Sequence, residues 1–156
     1  MKILMVCLGN ICRSPLAEAL LRQKTLDAGL DVGIDSAGFE SCNVGDPPDY
    51  RTQQNALRNG LDVSYLRARL FRTDDFDHFD KIYIMDHNNK QMISRFARNS
   101  DDMRKVDYIM NAVFPGKDYC VADPYYSGER SFQQVFEQLD EACEAICNKL
   151  INNEKL

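Results

Sequence analysis

The segment Cys7-Leu8-Gly9-Asn10-Ile11-Cys12-Arg13-Ser14 brings together the groups needed to hold an oxyanion and attack it. A cysteine six residues before an arginine carries little weight alone in a chain with 6 cysteines. The flanks give the spacing its meaning. An apolar run, Ile3 to Val6, delivers Cys7, and a capped helix is expected directly after Arg13. Gly9 is expected to supply the sharp turn between them. Successive N–H groups in such a turn converge into an anion-binding nest, and the helix N-terminus adds its positive end. The planar Arg13 guanidinium fits two phosphate oxygens at once. The same field favours Cys7 as the thiolate, and a thiolate beneath a bound phosphate is a nucleophile aimed at phosphorus. The plainer alternative is a buried apolar cysteine that merely closes a strand.

The elements that must position this loop follow from the pattern of the chain. Lys2 to Cys7 is continuously apolar in its middle, as strands covered on both faces are. A helix is expected from Pro15, with Ser14 as N-cap and Gly29 as its end. Val32 to Ala37 reads as a second strand closed by Gly38, and Val44 to Pro48 as loop. Asp49 caps a helix to Asn59, stopped by Gly60. Asp80 to Met85 is a third strand, His87 to Ala97 a helix, and Val106 to Met110 a fourth strand. Asn111 to Gly128 is read as loop. The last helix starts with a Ser131/Gln134 capping box, and Phe132, Val135, Phe136, Leu139, Cys143, Ile146 and Leu150 share one face.

Strands alternating with helices imply an α/β fold: a small doubly wound sheet of about four parallel strands, flavodoxin-like or Rossmann-like, with helices on both faces. Such sheets bind ligands outside the carboxyl ends of their strands, where Cys7 to Ser14 would lie. Residues 1–156 form a single domain on this reading, with no repeat or linker.

Composition narrows the function. An apolar fraction of 44% and a charged fraction of 28% are globular values, which sets aside disorder and coiled coil. The net charge of −5, without a long Lys/Arg run, argues against nucleic acid as partner. The run Ile3 to Leu8 is too short to span a bilayer or to serve as a signal peptide, so no membrane partner and a cytoplasmic location are expected. Cys7, Cys12, Cys42, Cys120, Cys143 and Cys147 are then free thiols. With no C-x-x-C pair and only His78 and His87, neither a metal nor another cofactor is expected.

The chain resembles the low-molecular-weight protein tyrosine phosphatases over roughly Lys2 to Leu150. The resemblance rests on V-C-L-G-N-I-C-R-S-P-L-A-E at Val6 to Glu18, D-S-A-G at Asp35 to Gly38, R-A-R at Arg67 to Arg69, Met85-Asp86, and D-P-Y-Y at Asp123 to Tyr126. It implies Cys7 as nucleophile, Arg13 as phosphate clamp and Asp123 as general acid, with no metal. The chemistry agrees, because a phenolate leaves readily only when its oxygen receives a proton, which a carboxylic acid over the loop can give and later recover from water. Taken alone, Asp123-Pro124 is equally an ordinary turn. The resemblance further implies that Ser14 bonds the nucleophile's sulfur, that Asn10 and Ser36 brace the loop, and that Tyr125 and Tyr126 wall the substrate cleft. Without it, the two tyrosines read equally as loop packing. Partners on this reading are phosphotyrosine proteins and inorganic phosphate or similar oxyanions, bound by a monomer. Cys12 is expected to capture an exposed, oxidised Cys7 as a disulfide, since a loop curled around phosphate brings its ends together.

Two positions depart from the family pattern. Cys42 stands where a bulky aromatic is usual, so the cleft is expected to be more open on that side, with Phe39 partly filling the gap. Leu66 replaces a histidine that usually helps hold the Asn10 equivalent, which questions the loop's rigidity. One rival reading is an arsenate reductase on the same fold, but Lys81 to Ala97 lacks the redox cysteine pair that chemistry needs. The other is a non-catalytic phosphate-binding module, which would not need Cys7 or Asp123.

Overall fold

The computed structural model describes all residues from Met1 to Leu156. Four parallel strands, β1 (Lys2–Val6), β2 (Gly33–Ala37), β3 (Lys81–Ile84) and β4 (Val106–Tyr108), form one sheet in the order β2-β1-β3-β4. This is the expected doubly wound α/β arrangement. The strand order reverses direction beside β1, so the ends of β1 and β3 open onto the crevice where such sheets hold ligands.

Strand pleat decides which side chain goes to which face. Ile3, Met5, Tyr83 and Met85 enter a large core under α1 (Arg13–Asp27) and α6 (Glu129–Ile151). Leu4, Val6, Ile82 and Ile84 enter a smaller one with Phe71, Phe76, Ile93 and Tyr108. Burying each such aliphatic side chain stabilises the fold by about 1.5–3 kcal/mol. The helix α2 (Tyr50–Arg58) flanks the large core through Ala56. The short helices α3 (Asp75–His78), α4 (His87–Ser94) and α5 (Ser100–Arg104) lie towards the small one through Phe76, Ile93 and Met103.

Several boundaries differ from the sequence expectation. The first helix begins at Arg13 with Cys12 as N-cap, and the Ser14 side chain does not cap it. Pro15 is therefore the third helical residue, which costs nothing because the first N–H groups of a helix have no internal partner. Gly29, with φ 69°, ends the helix as expected. The last helix starts at Glu129 after Gly128, so Ser131 lies inside its first turn rather than capping it. The helices α3 and α5, of 4 and 5 residues, are too short to show an apolar period, and the sequence pattern assigns no element there. The chain from Ile109 to Ala112 is a 3-10 turn where strand and loop were expected.

Candidate active site

β1 ends one residue before Cys7, and α1 starts at Arg13, so the loop between them spans the carboxyl edge of the sheet. None of the backbone N–H groups of Leu8 through Cys12 donates to another part of the backbone or to a side chain. Such a run of unpaired amides is an anion nest in the physical sense. The left-handed residue is Asn10, with φ 54°, and not Gly9 as expected. Asparagine tolerates this conformation, and here its side chain is fixed on all sides. Its Oδ1 accepts from Arg69 N at 2.9 Å, and its Nδ2 donates to Ser14 Oγ at 2.8 Å and to Ser36 Oγ at 2.9 Å. The backbone of Arg69 thus supplies the hold that Leu66 cannot. Leu66 itself is buried in the large core.

The chain of bonds continues in both directions. Ser14 Oγ lies 3.0 Å from Cys7 Sγ. Ser36 Oγ donates at 2.6 Å to Oε2 of Glu18, a carboxylate that is only 3% exposed. Burial raises the pKa of Glu18, against the opposing pull of Ser36 and of Arg22, 2.8 Å away.

A close backbone approach holds the loop from the β2 side. Leu8 O accepts from both Phe39 N and Glu40 N. A Cβ on Gly38 would lie 2.8 Å from both Asn10 N and Leu8 O, so only glycine fits there. A Cβ on Gly9 would meet side chains alone, the ends of Asn43 and Glu40 most closely and Ile11 Cγ1 at 3.5 Å.

Arg13 is buried, 1% exposed, and fully directed. Its Nη1 donates to Asp86 Oδ2 at 2.6 Å and to Val121 O at 2.9 Å, and its Nη2 donates to Asp123 Oδ2 at 3.2 Å. Its Nε has no partner. Burial opposes the charge, but Cys7, Asp86 and Asp123 together outweigh it and raise the guanidinium's pKa. Asp86, quoted above only as part of a motif, is therefore a working member of the site. It also caps α4 by accepting from Asn89 N.

A cleft of about 240 Å³ opens above this floor, lined by Cys7, Leu8, Gly9, Ile11, Cys12 and Arg13 below and by Glu40, Cys42, Asn43, Asp123, Tyr125 and Tyr126 around it. Every predicted catalytic and cleft residue is thus gathered at one place, while Asn10, Ser14 and Ser36 lie buried beneath it. Cys42 is exposed at the rim. Phe39 does not fill the space beside it, because its ring packs 5.8 Å from Phe71 and 5.9 Å from Phe96 in the small core. Cys7 and Cys12 are 2% and 5% exposed, a correction to the exposed thiol expected. Burial pushes the Cys12 thiol up to about 12, against a smaller lowering by the Thr52 hydroxyl. No cluster of His, Cys, Asp or Glu able to hold a metal is present, and no helix is long and apolar enough to cross a membrane.

Comparison with known proteins agrees with this arrangement. Residues 2–156 match the family described as low molecular weight phosphotyrosine protein phosphatase. A chicken (Gallus gallus) low molecular weight phosphotyrosine protein phosphatase is 38% identical over 149 residues, covering 94% of each chain. Among solved structures, a protein tyrosine phosphatase from Entamoeba histolytica with Hepes in its active site superposes with a TM-score of 0.90 at 34% identity, covering 98% of each chain. A Drosophila arginine phosphatase is also similar, with a TM-score of 0.87 at 33% identity over 96% of this chain and 98% of that one.

Proposed function

The chain belongs to the low molecular weight phosphotyrosine protein phosphatase family, and on that premise we propose that it hydrolyses phosphotyrosine in proteins through a phosphocysteine on Cys7. The observation that carries this reading is the pairing of two unsatisfied donor sets. The free amides belong to Leu8 to Cys12 and the unpaired, buried Nε to Arg13, and these residues, Asn10 apart, line the cleft together with Cys7. A phosphoryl group there completes the hydrogen bonding of both and meets the sulfur end-on.

Sγ attacks phosphorus, forming the S–P bond as the bond to the phenolic oxygen breaks. The Asp123 carboxylic acid gives its proton to that oxygen. Water then attacks phosphorus, Asp123 takes its proton, and inorganic phosphate leaves with Cys7 restored. Arg13 and the nest supply positive charge for the equatorial oxygens throughout, which is the electrostatic share of the catalysis. Leu8, Ile11, Tyr125 and Tyr126 offer apolar and aromatic surface to the substrate's ring. One chain supplies nucleophile, clamp and acid, so we propose a monomer. Its 6 unpaired cysteines suit the reducing cytoplasm. Cys12, lining the same cleft, is proposed to close a disulfide with oxidised Cys7, making the enzyme redox-sensitive.

Turnover of p-nitrophenyl phosphate by wild type and its loss in Cys7→Ser, with phosphate binding retained, tests the covalent step. Activity within about tenfold of wild type in that variant would sink it. Competition between phosphotyrosine, phosphoserine and phosphoarginine peptides tests the substrate, and phosphotyrosine should rank first.

A further inference from the structure

Arg51 lies outside the set of cleft-lining residues, yet it touches both halves of the site. Its Nε and Nη2 donate to the two carboxylate oxygens of Asp49, each at 3.0 Å. Asp49 is in turn anchored to the phosphate loop, since its backbone N–H donates to Ile11 O at 2.7 Å. On its other side, the Arg51 guanidinium stands 5.2 Å from the Tyr125 ring and 4.8 Å from the ring of buried Phe132. The Tyr125 backbone N–H donates to Asp123 Oδ1 at 3.1 Å. A continuous path therefore runs from Ile11 through Asp49, Arg51 and Tyr125 to the carboxylate of Asp123.

We propose that Arg51 is a positioning residue that couples the phosphate loop to the loop presenting the general acid. The physical grounds are its geometry on both sides. The bidentate pair fixes the plane of the guanidinium, which an isolated cation on a flexible stem does not achieve. A fixed plane held against the two rings orients Tyr125, and with it the backbone N–H that aims Asp123. The ion pair holds the Asp49 carboxyl below its usual range, so the unit stays charged across the neutral range. The inference rests on the phosphatase reading above.

The test compares p-nitrophenyl phosphate, whose leaving group departs with little help, with phenyl phosphate, whose leaving group needs the proton. Wild type must cleave both, and failure there would refute the phosphatase reading rather than the role of Arg51. In Arg51→Met, kcat/KM for phenyl phosphate should fall about tenfold more than kcat/KM for p-nitrophenyl phosphate, because kcat/KM reads the step in which the leaving group departs; tenfold is the factor that a lost cation–π contact corresponds to. Asp123→Asn should show the same bias more strongly. Arg51→Lys keeps the charge but not the bidentate pair and should recover part of the loss. Asp49→Asn keeps the helix cap and removes the ion pair, so it should reproduce the bias in a chain whose fold is secure. An equal loss of kcat/KM for both substrates would overturn the proposal.

Discussion

The hydroxyl of Ser14 is bound so that its proton has one good acceptor, the sulfur of Cys7 3.0 Å away. Arg69 N occupies Asn10 Oδ1, which turns Asn10 Nδ2 towards Ser14 and makes Ser14 Oγ an acceptor on that side. The remaining alternative, Ala37 O, is 3.5 Å away. The buried Ser36–Glu18 bond holds the far end of the chain. Donation from Ser14 stabilises the sulfur whenever it is anionic, both before attack and as the leaving group when the phosphocysteine breaks down.

Ser14→Ala should therefore slow breakdown of the phosphoenzyme more than its formation. A hydrogen bond to a charged group contributes about 1.5–3 kcal/mol, which corresponds to roughly 10–150-fold in rate. Rapid-mixing kinetics with p-nitrophenyl phosphate should show a larger burst of p-nitrophenol followed by a slower steady state. A burst unchanged in size would mean that Ser14 does not serve the leaving sulfur.

Gly38→Ala should damage both activity and stability, because the added methyl meets the backbone of Asn10 and Leu8 at 2.8 Å. Overpacking of this kind costs about 1–3 kcal/mol, which lowers Tm by roughly 2–10 °C in a chain of this size. Gly128→Ala, where nothing lies within 4 Å of the new Cβ, serves as the control. If the two variants melt together and turn over alike, the close approach at Gly38 is not what holds the loop.

Protection of oxidised Cys7 by Cys12 should be steeply dependent on pH. The step joins Cys12 Sγ to the sulfur of a Cys7 sulfenic acid formed by peroxide and releases water. The attacking form is the Cys12 thiolate, and burial holds that thiol up near about 12. Below that value the thiolate fraction grows about tenfold per pH unit, so disulfide closure after a fixed peroxide pulse should speed up by about that factor from pH 7 to 8. Activity should return with dithiothreitol in wild type and fail to return fully in Cys12→Ser. A closure rate independent of pH would rule Cys12 out as the attacking group.

What could be read from the sequence was whatever depends on local pattern. The apolar run before Cys7, the Asp49 cap and the periodic face of the last helix each decide their structure within a few residues, and each stands in the fold. The errors lie where distant segments meet. Ser14 is the local exception: it has the chemistry of a cap, but the sulfur of Cys7, as the resemblance implied, and the amide of Asn10, 7 and 4 residues away, claim its hydroxyl. The turn expected at Gly9 falls at Asn10 because Ser36 and the Arg69 backbone, 26 and 59 residues away, stabilise the left-handed residue. Phe39 is drawn into the small core by Phe71 and Phe96, which no local pattern announces. Asp86 and Arg51 escaped for the same reason, since their partners Arg13 and Tyr125 are remote in the chain.

The contact between Arg13 and Asp123 joins residues 110 positions apart. Loop closure over such a span costs entropy that must be met before the contact gives anything back. The phosphate loop is braced chiefly by β1, β2, α1, Asp49, Arg69 and Asp86, all of which precede the segment leading into α6 that brings the acid. During refolding, affinity for phosphate should therefore return before turnover does. Recovered activity then marks the docking of the C-terminal segment onto an already formed sheet, so an activity assay and a secondary-structure signal on the same sample would follow two different folding events.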